Sequence, residues 1–135
     1  MHSTALRPYG ALLLRLTLGV ALLAHSLYLK LFIFTMDGTV RFFESLGLPG
    51  VLAWAVLLIE AAAGIALILG LRTRLAALAA LPLLLGATWA HWGSGWMFAN
   101  AGGGWEYPAF WASALLVQAM IGGGAHALAD DEAAS

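Results

Sequence analysis

Long apolar runs alternate with short polar breaks along this chain, and the lengths of the runs set the first expectation. Residues 48–71, LPGVLAWAVLLIEAAAGIALILGL, exceed the roughly 20 apolar residues that cross a bilayer core and carry one acidic group, Glu60, near the middle. A run from Tyr9 to Phe34 is interrupted by Arg15, His25 and Lys30, a third begins at Leu75, and a fourth extends from Tyr107 to Leu128. The pattern predicts an all-α fold, a transmembrane four-helix bundle with helices over about residues 9–34, 50–71, 75–93 and 107–128. The whole of 1–135 reads as one domain ending in an acidic tail, 129–135. Because hydrophobicity continues well past Arg15, the first run reads as a spanning helix and not as a cleaved signal peptide.

The breaks are informative too. In TMDGTVRFFESLGLPG, the turn residues Asp37 and Gly38 precede Phe42, Phe43 and Leu46 on one side, with Arg41 and Glu44 alongside. That spacing predicts a short interfacial helix between helices 1 and 2. Pro49 suits the first turn of the next helix, where its missing N–H costs nothing. Arg72-Thr73-Arg74 is a tight turn that makes the second and third helices antiparallel neighbours, and Pro82 predicts a local kink in the third. The stretch GSGWMFANAGGGWEYP reads as a loop, with Trp89, Trp92, Trp96, Trp105 and Tyr107 marking a membrane–water interface.

Composition agrees with lipid as the solvent: 62% of residues are hydrophobic and 10% charged, with mean hydropathy +0.90, against about 25% charged in a soluble domain. A formal net charge of -1 without a basic cluster excludes nucleic acid as a partner. The chain has no cysteine, so it has no disulfide, thiolate metal site or Cys-ligated cluster of its own. Arg7, Arg15, Arg72 and Arg74 gather at one set of helix ends, while the loop before the fourth helix has neither Lys nor Arg. The expected location is the inner (plasma) membrane, multi-pass, with both termini cytoplasmic.

That orientation places His25, Lys30, His91 and Glu106 in the outer half, with Glu60 near the midplane. Arg15 stands alone in the inner half, where the simplest expectation is that it snorkels to the cytoplasmic surface. An acidic residue at a helix centre costs about 2.5–3.5 kcal/mol on insertion scales, so Glu60 should face other helices and find a polar partner. It reads either as a proton carrier or ligand partner, or as a packing carboxyl bonded to a Trp or His. His25 and His91 are a weak alternative metal or b-haem pair, since neither has a second ligand at E-x-x-H or H-x-x-x-H spacing. A pair of histidines bonded to Glu60, Thr88 or backbone is the plainer reading. Lys30 and Glu106 could form an interfacial ion pair, Trp105 reads as an anchor or a platform, and Ser113 and Gln118 read as interhelical hydrogen bonders. No nucleophile has a base and orienter at useful spacing, and no phosphate-cradling glycine loop follows a strand, so hydrolytic and nucleotide chemistry are excluded.

Taken together, LLLRLTLGVALLAHSLYLKLF, RFFESLGLPG, the Glu60 helix ending GLRTRLAA, and FANAGGGWEYP make the chain resemble the DoxX family of small four-helix membrane proteins. The most specific pieces are Arg15, His25 and Lys30 in the first helix, Glu60, and the stretch from Asn100 to Pro108. The chain departs from the family pattern at Ser26, where glycine is frequent, and by one extra residue in the glycine run. The resemblance implies a place in a membrane redox complex, since the family takes its name from a subunit of a thiosulfate:quinone oxidoreductase. It implies a quinone as candidate cofactor and other membrane or soluble redox subunits as partners, with oligomerisation open. The candidate ligand residues are His25, Lys30, Glu60, His91, Trp105 and Glu106. A quinone head needs hydrogen bonds at two opposed carbonyls, which His25 or His91 with Glu60 could supply. The alternatives are a non-catalytic anchor or assembly factor for a soluble redox partner and, third, a haem- or metal-binding bundle.

Overall fold

In the computed structural model, which describes residues 3–129, the first apolar run forms one continuous rod. It consists of α1 (Ser3–Leu23) and a π-helical segment (Ala24–Ile33). A short helix α2 (Thr35–Ser45) follows, then α3 (Val51–Leu69), α4 (Thr73–His91) and α5 (Glu106–Ile121). Three helices, Thr4–Ile33, Val51–Leu69 and Thr73–Ser94, are long and apolar enough to cross a membrane. Among the described residues there is no β-strand, only an isolated bridge between Leu71 and Ala129.

α5 is shorter than the 107–128 span expected from hydrophobicity. It ends at Ile121, and 16 residues reach roughly 24 Å at 1.5 Å per residue, less than a hydrocarbon core of about 30 Å. Three consecutive glycines end it, with Gly122 at φ 79° and Gly124 at φ 71°, backbone angles that favour residues without a Cβ. Gly124 also passes the backbone of Pro8 so closely that an added Cβ would collide with its carbonyl oxygen. The chain then runs as a non-helical strap beside α1 and the α3–α4 turn. Ala125 N donates to Pro8 O, Leu128 N to Leu69 O and Ala129 N to Gly70 O. Of the acidic tail, residues 130–135 lie outside the described residues.

The strap corrects the expectation for Arg15. This side chain is 1% exposed, and it turns into the protein instead of snorkelling to the surface. Its Nη1 donates to the carbonyls of Leu67 (3.1 Å) and Ile68 (2.7 Å), Nε to Gly123 (3.0 Å) and Nη2 to Ala125 (2.8 Å). Leu67 and Ile68 lie in the last turn of α3, where carbonyls lack intrahelical partners and the helix dipole favours a cation. Arg15 therefore closes the end of α3 and holds the strap with one guanidinium. Gln118, fully buried, adds a second tie by donating Nε2 to Gly122 O at 2.7 Å and Ala11 O at 3.3 Å.

α1 packs along α3, α3 along α4, and α5 along α4 and against α1. The α1–α3 crossing depends on glycines: a Cβ on Gly19 would meet Ile68 Cγ1 at 2.7 Å and Gly64 O at 2.8 Å. Small residues at such crossings let helix backbones approach where lipid supplies no hydrophobic drive. Leu18, Leu22, Leu67, Ala77, Leu84 and Leu115 form the main core, and Met36, Ala53 and Leu57, with Val40 and Phe43, seat α2 on α3. Asp37 and Gly38, expected as a turn, belong to the first turn of α2. The actual reversal falls at Thr35, a β-branched residue at φ 61°.

Candidate functional site, a cavity walled by an ion pair

The π-helical segment places the site. In α geometry, at 100° per residue, His25 and Lys30 would point about 140° apart. Bonding from residue i to i+5 stacks residues five apart instead, as in the 2.7 Å bond from Phe34 N to Leu29 O, and brings both side chains toward one face. The segment is tied to α2 by Thr39, whose hydroxyl donates to Thr35 O at 2.8 Å and lies 3.4 Å from Lys30 O.

Lys30 sits near the end of its helix, where a lysine ordinarily extends to the membrane surface. Here Nζ reaches the carboxylate of Glu60 on α3, 2.6 Å from both oxygens. Glu60 is 6% exposed, so the ammonium supplies the interior partner that a carboxyl at this depth requires. The interfacial pairing of Lys30 with Glu106 does not form. Glu106 instead accepts from Phe98 N at 3.2 Å in the first turn of α5, where an acidic group favours the helix dipole.

A cavity of about 820 Å³ lies beside the ion pair, between the π segment, α2, α3, α4 and the start of α5. His25, Lys30, Glu60 and His91 line it together with apolar residues that include Leu29, Phe43, Val56 and Leu83. Four of the six sequence candidates thus share one cavity. Trp105 and Glu106 are not among its walls. Trp105 packs with Trp92 (centroids 4.5 Å, 22°) and edge-on with Trp96 (4.5 Å, 82°), an aromatic stack within the loop region.

The histidines engage different walls. His25 packs on Trp111 of α5, centroids 4.6 Å apart and planes 55° apart. His91 stacks on Phe42 of α2 (6.1 Å, 24°), and its Nδ1 lies 3.1 Å from the carbonyl oxygen of Gly102. It therefore joins α2 to the glycine-rich loop at the mouth of the cavity, a role that its isolated position in sequence did not signal. Gly102 and Gly103 adopt φ of 82° and 75° there. Thr88 bonds back to Leu84 O, not to a histidine. Among the described residues no three His, Asp or Glu side chains gather into a metal-binding group.

Trp111 was not singled out from the sequence. It lines the cavity, is 7% exposed, and its Nε1 has no hydrogen-bond partner among the described residues. A buried donor left unsatisfied costs about 1–3 kcal/mol. The sequence signal that could have found it is its place one helical turn after Tyr107 and Pro108, inside α5 and away from the interface tryptophans.

The DoxX family profile matches residues 10–92, the stretch that carries Arg15, His25, Lys30, Glu60 and His91. Over 78 residues the chain is 36% identical to a Bacillus subtilis (strain 168) protein named "Putative oxidoreductase CatD". That match covers 58% of this chain and 56% of the relative, so the chain spans little more than half of that protein's length. No solved structure matches the chain significantly. With the family match extending over more than half of its length, the chain belongs to the DoxX family.

Proposed function

We propose that this protein is the membrane subunit of a quinone-linked redox assembly and that its cavity holds the quinone head beside Lys30 and Glu60. The observation that carries the reading is the ion pair of partly buried Lys30 and buried Glu60, forming part of an otherwise largely apolar cavity. A volume of about 820 Å³ falls within the roughly 300–1,000 Å³ of small-molecule sites, which combine apolar walls with a few placed polar groups. The relative named as an oxidoreductase points to the same class of chemistry.

A quinone supplies two-electron, two-proton redox chemistry when bound. The side chains of this chain account for the protons and the binding. Lys30 carries three N–H donors; the two oxygens of Glu60 take two, and the third is available to a ligand oxygen. Glu60 holds the ammonium in place beside the cavity, from where Nζ can donate to that oxygen. His25 stands five residues before Lys30 on the same segment and can replace the proton. Electrons come from a partner subunit, since the cysteine-free chain has no thiol or Cys-ligated cluster to carry them.

In this reading α5 is the fourth crossing of an inner-membrane bundle with both termini cytoplasmic. The strap completes its span: non-helical backbone is tolerated at membrane depth when its polar groups are satisfied within the protein, and Arg15 and Gln118 bind the carbonyls of Gly122, Gly123 and Ala125. Quinone reduction by native membranes carrying wild type or Glu60→Gln at matched protein levels tests the function. Turnover reduced at least tenfold is expected. Unchanged turnover overturns the quinone assignment and leaves the chain as an anchor for a soluble redox partner.

A further inference from the structure

Of the tryptophans, Trp54, Trp89, Trp92 and Trp96 are exposed, as residues at a membrane surface are, and Trp105 lies in the loop stack. Trp111 differs from all of them. It projects from α5 into the core cluster with Leu115 and Ala112, and it also forms part of the cavity wall. A buried indole ordinarily finds an acceptor for its N–H. Four buried side-chain atoms lack a hydrogen-bond partner among the described residues: Thr73 Oγ1, Arg74 Nε, Gln118 Oε1 and Trp111 Nε1. Of their residues, Trp111 alone lines this cavity.

We infer that Trp111 donates its indole N–H to an oxygen of the ligand that seats in this cavity, a second polar contact on a different helix from Lys30. The ligand class rests on the quinone reading above; the contact deepens it. An indole nitrogen donates and never accepts, so the atom that meets it must be an acceptor such as a carbonyl oxygen. Lys30 Nζ supplies the other donor, from the π segment. The cavity therefore selects an apolar molecule whose head bears two hydrogen-bond acceptors, as a ring with two opposed carbonyls does. The His25 ring lies tilted 55° on Trp111, beside the buried indole nitrogen. Its side chain shifts as the ligand oxygen approaches, which couples His25 to ligand entry.

The test uses the full chain, purified in lipid nanodiscs and labelled with 15N-tryptophan, with decylubiquinone as the probe. Trp111→Phe keeps an aromatic ring against His25, removes the donor, and identifies the Trp111 indole resonance by its loss. At saturation with decylubiquinone, that resonance should move downfield further than those of the other tryptophans. Kd for Trp111→Phe should rise about tenfold, the loss of one hydrogen bond in a desolvated site. If wild type binds decylubiquinone while the resonance stays in place, or if Trp111→Phe binds with unchanged Kd, the inference is overturned and the cavity reading stands. If wild type does not bind the probe, both are overturned. Should the Phe variant fail to fold, Trp111→Tyr provides the assignment and the wild-type shift decides.

Discussion

Lys30 and Glu60 meet across the π-helical segment and α3 with the ammonium 2.6 Å from both carboxylate oxygens, the lysine coming from near the end of its segment to a carboxyl near the centre of its helix. Each charge is acceptable at this depth because of the other. Removing one partner of a buried pair costs about 3–5 kcal/mol, whereas replacing both by apolar groups of similar volume is often neutral.

That asymmetry gives the first expectation. Lys30→Met and Glu60→Leu should each lower stability by about 3 kcal/mol or more, and the double variant should recover most of the loss. Unfolding in mixed micelles, monitored by circular dichroism, measures it. Losses that simply add in the double variant would mean that the pair is not coupled in the folded protein.

Arg15 satisfies four carbonyls from two remote segments. Arg15→Met should cost at least about 2 kcal/mol, the scale of a hydrogen bond to a charged group. It should also release the strap, so that limited proteolysis cuts between Gly122 and Ala129 in the variant before it cuts wild type. Equal cleavage rates would show that the strap is held without the guanidinium.

At the α1–α3 crossing, Gly19→Val places methyl groups where Gly64 O and Ile68 already stand within 3 Å of an added Cβ. Overpacking of this kind costs about 1–3 kcal/mol, and separating the helices should also weaken the Lys30–Glu60 contact. The variant should therefore lose thermal stability, while Gly10→Ala, inside α1 with nothing within 4 Å, should not lower it.

His91 and the Gly102 carbonyl close the loop side of the cavity. The chain has no cysteine, so one introduced by Ala87→Cys in the cavity wall reports access without background. Labelling by a membrane-impermeant maleimide should be slow in Ala87→Cys alone and severalfold faster when His91→Ala is added. Equal rates would remove His91 from the closure.

How far the sequence shows these features depends on distance along the chain. The long rods and the short helix between them follow from apolar runs and from Phe42, Phe43 and Leu46, because hydrophobic period is a local property. The partner of Glu60 is not local. Lys30 lies 30 residues away and, in α geometry, not on the face of His25; only the π-helical segment aligns them, and no residue pattern announces i+5 bonding. Arg15 reads as a lone cation because its acceptors are backbone carbonyls, which every residue has, and those of the strap lie 108 and 110 positions on. The end of α5 was legible in Gly122–Gly123–Gly124, but the apolar residues that continue to Leu128 outweighed the glycines in a hydropathy reading. Trp111 looks like the interface tryptophans until its burial is known.

The account turns on whether the cavity beside Lys30 and Glu60 takes a quinone. Equilibrium binding of decylubiquinone to the purified chain in nanodiscs, compared between wild type and the Lys30→Met/Glu60→Leu double variant, tests this most directly, because the double variant replaces the ion pair by apolar groups of similar volume, a change expected to keep the fold. Saturable binding by wild type, weakened at least tenfold in the double variant, is the predicted result. Absence of saturable binding by wild type, or equal affinity in both proteins, would contradict it.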